Sequence, residues 1–213
     1  MLELGAETDA EVIARVRAGE ADAFEIVMRR HNPRVYRAVR SILRDEDEVE
    51  DVMQEAYVQA FLHLDGFEGR AAFSTWLVRI AVHEALARRR RSARWDPLED
   101  QQEEGIWMKG PRDPEREVGS AEVVRLLESA IDGLRDGFRE VFVLRAVEEL
   151  SQAEVAACLG IKEETVKTRY FRAKESLRAA LLEQLEHGMK ETFAFRAIRC
   201  DRVVAKVLGR IGH

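Results

Sequence analysis

The chain has 213 residues and a formal net charge of −6, so it does not bind nucleic acid by bulk charge, and any such binding needs local basic patches on an acidic background. Its two cysteines, Cys158 and Cys200, are too few and too far apart for a disulfide scaffold and fit a reduced, cytoplasmic setting. The start M-L-E-L-G-A-E-T-D-A has neither a basic opening nor an apolar core, so no signal peptide is expected, and no apolar run approaches the roughly 18 residues that suggest membrane insertion.

Apolar positions recur at three- and four-residue spacing along most of the chain, and alternating runs are nearly absent, which predicts an all-α protein. A first helical block spans residues 9–94. Ala10, Ile13 and Val16 begin one helix. Phe24, Val27 and Met28 begin a second that continues across Pro33 through Val35, Val39, Ile42 and Leu43. Val49, Val52, Met53, Ala56, Tyr57, Ala60, Phe61 and Leu64 form the broad stripe of a third. Phe73, Trp76, Leu77, Ile80, Ala81 and Leu86 open a fourth that ends in four consecutive arginines, Arg88 to Arg91. Residues 95–119 lose this periodicity. Between Asp96 and Glu117 there are eight acids and three bases, the composition of an acidic linker.

A second block spans residues 120–185. Ser120 is a plausible cap, Val123, Val124, Leu127, Ile131 and Leu134 mark one helix, and Phe138, Val141, Phe142 and Leu144 another. A helix-turn-helix pattern follows. Ser151 and Glu154 have capping-box spacing, Val155, Ala156 and Leu159 form an apolar face, and Gly160 can take the left-handed conformation that ends a helix. Glu163 and Glu164 open the next helix at its positive end. Lys162–Arg178 holds six bases and three acids. Val166, Tyr170, Ala173 and Leu177 should face inward, leaving Thr165, Lys167, Thr168, Arg169 and Arg172 outward for a DNA groove. Residues 186–213 form a C-terminal extension; its Met189–His213 part carries six bases against two acids.

Two further charge features invite function. Asp45-Glu46-Asp47-Glu48, extended by Glu50, Asp51 and Glu55, reads either as a solvated helix start or as a docking face for a basic partner. Arg79–Arg94 has six arginines and one acid, with Phe67, Phe73 and Trp76 just upstream. Guanidinium groups beside ring faces suit phosphates and unstacked bases, although Trp76 itself is expected in the core. Catalytic patterns are lacking. The five histidines are scattered, no metal-ligand or phosphate-loop spacing occurs, and Cys158 reads as packing, so no metal, cofactor or enzymatic activity is expected.

Two modules with basic patches around an acidic linker resemble the bacterial RNA polymerase sigma factors of the sigma-70 family, in their small extracytoplasmic-function (ECF) group. Asp22–Arg40 is similar to the start of the family's second conserved region, Glu50–Phe61 to its polymerase-binding helix, Phe67–Arg91 to its downstream promoter reader, and Leu150–Leu181 to its fourth region. The resemblance implies an all-α fold of two small helical modules, the second containing the helix-turn-helix. It also implies a non-enzymatic subunit that directs promoter recognition, DNA melting and initiation at a specific regulon.

By the same resemblance, Asp51, Gln54, Glu55, Val58 and Phe61 would dock on the clamp of the largest subunit of core RNA polymerase. The loop Asp65–Phe73, with Phe67, would capture a base flipped from the minus-10 element. Arg79, His83 and Arg88 would face the same strand. Thr165, Lys167, Thr168, Arg169 and Arg172 would read the minus-35 element. The linker would pass through cationic channels of the polymerase. Promoter DNA is thus an implied partner, and an anti-sigma factor is a further candidate. Relatives commonly carry Asn where this chain has His83. A stand-alone helix-turn-helix regulator, dimeric on duplex DNA, is the competing reading. The block Glu50–Arg91, for which a simple repressor has no use, discriminates between the two.

Overall fold

The computed structural model describes residues 7–95 and 120–192, and these are helical with no strand among them. Helix α1 (Asp9–Arg17) starts in a capping box: Glu11 N donates to Thr8 Oγ1 at 3.3 Å, and Thr8 N donates to Glu11 Oε2 at 2.7 Å. A short 3₁₀ turn leads to α2 (Phe24–Arg40), which runs through Pro33. The proline removes one backbone donor inside the helix, and the Tyr57 hydroxyl donates to the nearby Met28 carbonyl at 3.2 Å. Helix α3 (Glu46–Leu62) is capped by Asp45, whose carboxylate accepts from Glu48 N at 3.0 Å. Three acids in its first turn complement the helix dipole, so much of the acidic run has a local structural role. Helix α4 (Phe73–Trp95) crosses both α2 and α3. Val27, Val35, Val39, Val49, Val52, Ala56, Leu77, Val78, Ala81 and Val82 are buried between them.

The second module contains α5 (Ser120–Asp132), the short α6 (Phe138–Phe142), α7 (Gln152–Leu159) and α8 (Glu163–Thr192). Ser151 and Glu154 make the expected capping box ahead of α7, and Gly160 ends that helix at φ +64°. Between α6 and α7 the helix widens into one π turn over Val143–Val147, and Glu149 sits in the left-handed region at φ +57°. Helix α8 passes Gly188 and ends at Thr192, beyond the boundary of 185 suggested by the sequence. A single glycine weakens a helix by about 1 kcal/mol relative to alanine, which is not enough to end one. At the other boundary, Trp95 belongs to α4 rather than to the linker. Residues 96–119, most of the acidic linker, and 193–213, most of the extension, lie outside the described residues.

The modules pack against each other. Val141, Leu144, Leu150, Val155, Cys158 and Val166 join the same buried cluster as the core of α1–α4, and α7 lies along α4. A smaller cluster of Ala130, Leu134, Ala173 and Leu177 closes α5 onto α8.

Two stability predictions follow from local contacts. Ser151→Ala removes the cap of α7 and should lower unfolding stability by about 1 kcal/mol, read from the urea midpoint. His31 is buried, with Nε2 2.9 Å from Asp9 Oδ2. Burial lowers its pKa; Asp9 opposes the shift, while Arg30 and Arg34 reinforce it. The folded state therefore binds the proton less well than the unfolded chain, whose histidine titrates near about 6.5. The stability from neutral His31 is complete above that value and is lost as pH falls through the lower folded pKa. His31→Gln should reduce the drop in urea midpoint between about pH 7.5 and about pH 5.5.

Candidate nucleic-acid and partner interfaces

An open, mainly apolar groove of about 810 Å3 lies between α2 and α3. Phe24, Met28 and Tyr36 form one wall, and Met53, Tyr57, Val58, Phe61 and Leu62 the other. Val58 is 51% exposed, Phe61 40% and Leu62 66%, a concentration that water disfavours unless a partner covers it. Phe61 is held edge-on to Phe24 with ring centroids 5.3 Å apart. Of the five residues expected to meet the polymerase, Gln54, Val58 and Phe61 line this groove. Asp51 and Glu55 are exposed on α3 outside the lining. The α2 wall, Leu62 and Tyr36 were missed in sequence because their apolar spacing reads as core. Only the depth of the groove distinguishes them.

The loop before α4 is organised by aromatic stacking. Phe67 lies 5.4 Å from both Phe73 and Trp76, and Phe73 lies 5.6 Å from Trp76. The Arg17 guanidinium donates to the carbonyls of Leu64 at 2.6 Å and Phe67 at 2.7 Å, tying the loop to α1. Phe73 is buried, while Phe67 and Trp76 are half-buried. Arg79 and His83, one helical turn apart, are exposed. Arg88 does not join them. It lies about half a turn around α4 from Arg79, 3.8 Å from Asp51 and 4.0 Å from Glu48 on α3. Its neighbour Arg89 reaches Glu140 and Asp136 of the second module. Arg88 and Arg89 therefore turn to two different carboxylate clusters, while Arg90 and Arg91 are exposed. Sequence spacing alone does not reveal this, because the acids come from other helices.

On α8, Val166, Ala173 and Leu177 are buried and Tyr170 is half-buried. Tyr170 stacks on Phe142 with centroids 6.2 Å apart, and the Lys174 ammonium lies 4.7 Å from its ring centre. This anchoring presents Lys167, Thr168 and Arg172 to solvent. The Thr168 hydroxyl donates to the Glu164 carbonyl at 2.9 Å. Thr165 and Arg169 are half-buried. The Arg169 guanidinium covers Gly137, at φ +79°, where an added Cβ would lie 2.8 Å from Nη1. Phe171, between Thr168 and Arg172 on the outward face, is 62% exposed. It was passed over as an apolar residue in a helix, although its offset from Val166, Ala173 and Leu177 already places it away from the core stripe.

Burial pushes the Cys158 thiol up to about 11, and Arg79 opposes the shift, so Cys158 is an unreactive packing residue with α4 beside it. Among the described residues no cluster of His, Cys, Asp or Glu is arranged to hold a metal ion, and no helix is long and apolar enough to cross a membrane.

These surfaces coincide with two family profiles: residues 27–95 match sigma-70 region 2, and residues 125–177 match sigma-70 region 4. The chain is 34% identical over 177 residues to the ECF RNA polymerase sigma-E factor of Escherichia coli, spanning 80% of this chain and 92% of that one. It is 34% identical over 176 residues to the ECF RNA polymerase sigma factor SigW of Bacillus subtilis, spanning 79% and 94%. Among solved structures, CnrH in complex with the cytosolic domain of CnrY superposes with a TM-score of 0.55 at 31% identity, covering 82% of this chain and 97% of that one. The sigma factor RpoE of Bartonella quintana, solved with the anti-sigma factor NepR, shares the fold with a TM-score of 0.60 at 23% identity, covering 74% and 96%.

Proposed function

Because the chain belongs to the ECF group of the sigma-70 family of RNA polymerase sigma factors, we propose that its described surfaces divide the family's work between polymerase docking and promoter reading. A sigma factor acts with core RNA polymerase in promoter recognition and transcription initiation, and that is the function of this chain. The polymerase supplies the chemistry, so the chain works as a binding subunit, and it does so in the cytoplasm. The observation that carries this reading is the apolar groove between α2 and α3. A stand-alone helix-turn-helix regulator has no use for a second exposed binding surface of this size on another module.

In this reading Val58, Phe61 and Gln54 insert against the clamp of the largest subunit, with Asp51 and Glu55 as an acidic rim. Phe67 and its aromatic neighbours receive an extruded minus-10 base, since stacking offsets the few kcal/mol of unstacking. Arg79 and His83 flank that strand, and Arg88 supports α4 from the α3 side. Lys167, Thr168 and Arg172 engage the minus-35 groove, with Thr165 and Arg169 at its edge. Phe171 adds an apolar face suited to a thymine methyl. CnrH has been solved with the cytosolic domain of CnrY, which supports a further protein partner, and an anti-sigma factor is the candidate. The acidic linker and the module limits 9–94, 95–119, 120–185 and 186–213 are part of the same proposal, with the second module extended to Thr192 by the course of α8.

Val58→Glu should place a charge in the groove and weaken binding to core polymerase at least about tenfold, with helical content unchanged. Retention of core binding by that variant would remove the groove from the docking surface. Lys167→Ala with Arg172→Ala should reduce promoter-dependent run-off transcription while core binding stays at the wild-type level. Phe171→Ala should instead relax base preference at one position, by about 1–3 kcal/mol if it meets a thymine methyl, as measured by competition among promoter variants.

A further inference from the structure

The contact between the modules is made of charges as well as apolar side chains. Glu148, 1% exposed, ends the π turn after α6 and projects into the first module. Its carboxylate accepts from Arg34 Nε at 2.8 Å and from Arg37 Nε at 2.6 Å, and Arg34 also holds the Glu148 carbonyl. One turn along α2, Arg40 grips Asp132 with two bonds of 3.2 and 3.0 Å. Past the end of α2, Arg44 lies 3.9 Å from Asp136, which also faces Arg89 of α4 at 3.7 Å, and Arg89 pairs with the buried Glu140. The acids of these contacts come from the second module and the arginines from the first, although Arg40 also donates to Glu46 of α3 in its own module at 3.0 Å.

The arginines form an ordered set. Arg34, Arg37 and Arg40 recur every three residues on one face of α2 and span about 9 Å of its axis. Arg34 Nη1 also donates to Ser74 Oγ at 2.8 Å in the first turn of α4, and Arg89 stands near the far end of that helix. The stripe thus runs beside α4, the helix that carries Arg79 and His83. A DNA strand carries one phosphate per about 3.4 Å of axis, so a strand laid on α4 would bring about three phosphates past the α2 arginines.

We propose that this stripe is a binding site for the DNA sugar-phosphate backbone, and that Glu148, Asp132, Asp136 and Glu140 occupy it in place of phosphates when the modules are closed. Guanidinium binds carboxylate and phosphate with the same planar donors, so one surface serves both. The closed contact shares an apolar core, and it also carries a polar defect. Arg139, 1% exposed, donates to the Ser41 carbonyl at 2.8 Å, yet its two terminal nitrogens are buried without a well-formed hydrogen bond, although Asp136 lies 3.0 Å from one of them. Glu149 is held in a backbone region that disfavours it. Opening rehydrates the Arg139 nitrogens, and the phosphates replace the lost carboxylates. The inference rests on the chain's being a promoter-binding subunit and adds a phosphate site and an internal competitor for it.

The two sides of the contact can be separated by sign. Glu148→Gln with Asp132→Asn should free the arginines, increase the distance between dyes placed one on each module, and raise affinity for a mixed-sequence duplex of about 30 bp severalfold in fluorescence anisotropy. Arg34→Gln with Arg37→Gln should also increase the distance but lower affinity. It should reduce the slope of log affinity against log salt by about two, one unit for each lost phosphate contact. The more exposed pair, Arg40→Gln against Asp132→Asn alone, should repeat the opposite signs if buried Glu148 proves intolerant of change. Higher affinity in both classes would make the contact a simple latch and overturn the phosphate site, as would an unchanged salt slope in the arginine variant. Unchanged affinity in the acid variants would overturn the competition. Run-off transcription by the wild-type chain with core polymerase, measured alongside, reports on the sigma-factor reading independently of these outcomes.

Discussion

The carboxylate of Glu148 lies almost out of reach of water between two guanidinium groups that belong to the other module. An isolated buried carboxylate would be penalised by several kcal/mol, so this one is tolerable only while Arg34 and Arg37 are present. The dependence is asymmetric. Both arginines are substantially exposed and can keep their hydration if the modules part, whereas Glu148 is buried because of the contact. The shared apolar cluster holds the modules together, and this polar interaction specifies the geometry of their contact more than it adds stability. The π turn before Glu148 and the left-handed Glu149 after it direct that side chain inward.

This arrangement organises the remaining surfaces. Docking α7 along α4 leaves two sites free: the groove between α2 and α3, and the outward face of α8 with Lys167, Thr168, Phe171 and Arg172. The arginines beside α4 are occupied instead. On the proposed division of labour, the docking groove and the α8 face stay open in the closed chain, while the proposed phosphate stripe is matched by internal acids. An ordered use of the surfaces follows from the electrostatics, with no moving part other than the module contact.

Much of the local structure was legible in residue spacing. The capping box at Ser151 and Glu154, the left-handed Gly160, and the inward stripe of Val166, Ala173 and Leu177 all depend on neighbours a few residues away. Gln54, Val58 and Phe61 were named through the family resemblance rather than read from spacing, and the three line one groove. The α2 wall of that groove was not legible, because a residue lining a groove and a residue in a core have the same spacing. Helix α8 runs through Gly188 to Thr192, because one unfavourable propensity is not enough to end a helix.

Sequence by itself determined the all-helical fold, the two modules with their basic patches and the family, because each depends on short-range periodicity and on motifs in a fixed order. Tertiary structure decided which charges meet. Arg88 turned to Asp51 and Glu48, Arg89 to Glu140, and Arg34 and Arg37 to an acid more than a hundred residues away. A run of arginines in sequence has one sign and no direction. Its partners are set by how helices cross, and that geometry depends on the summed packing of side chains distant in the chain.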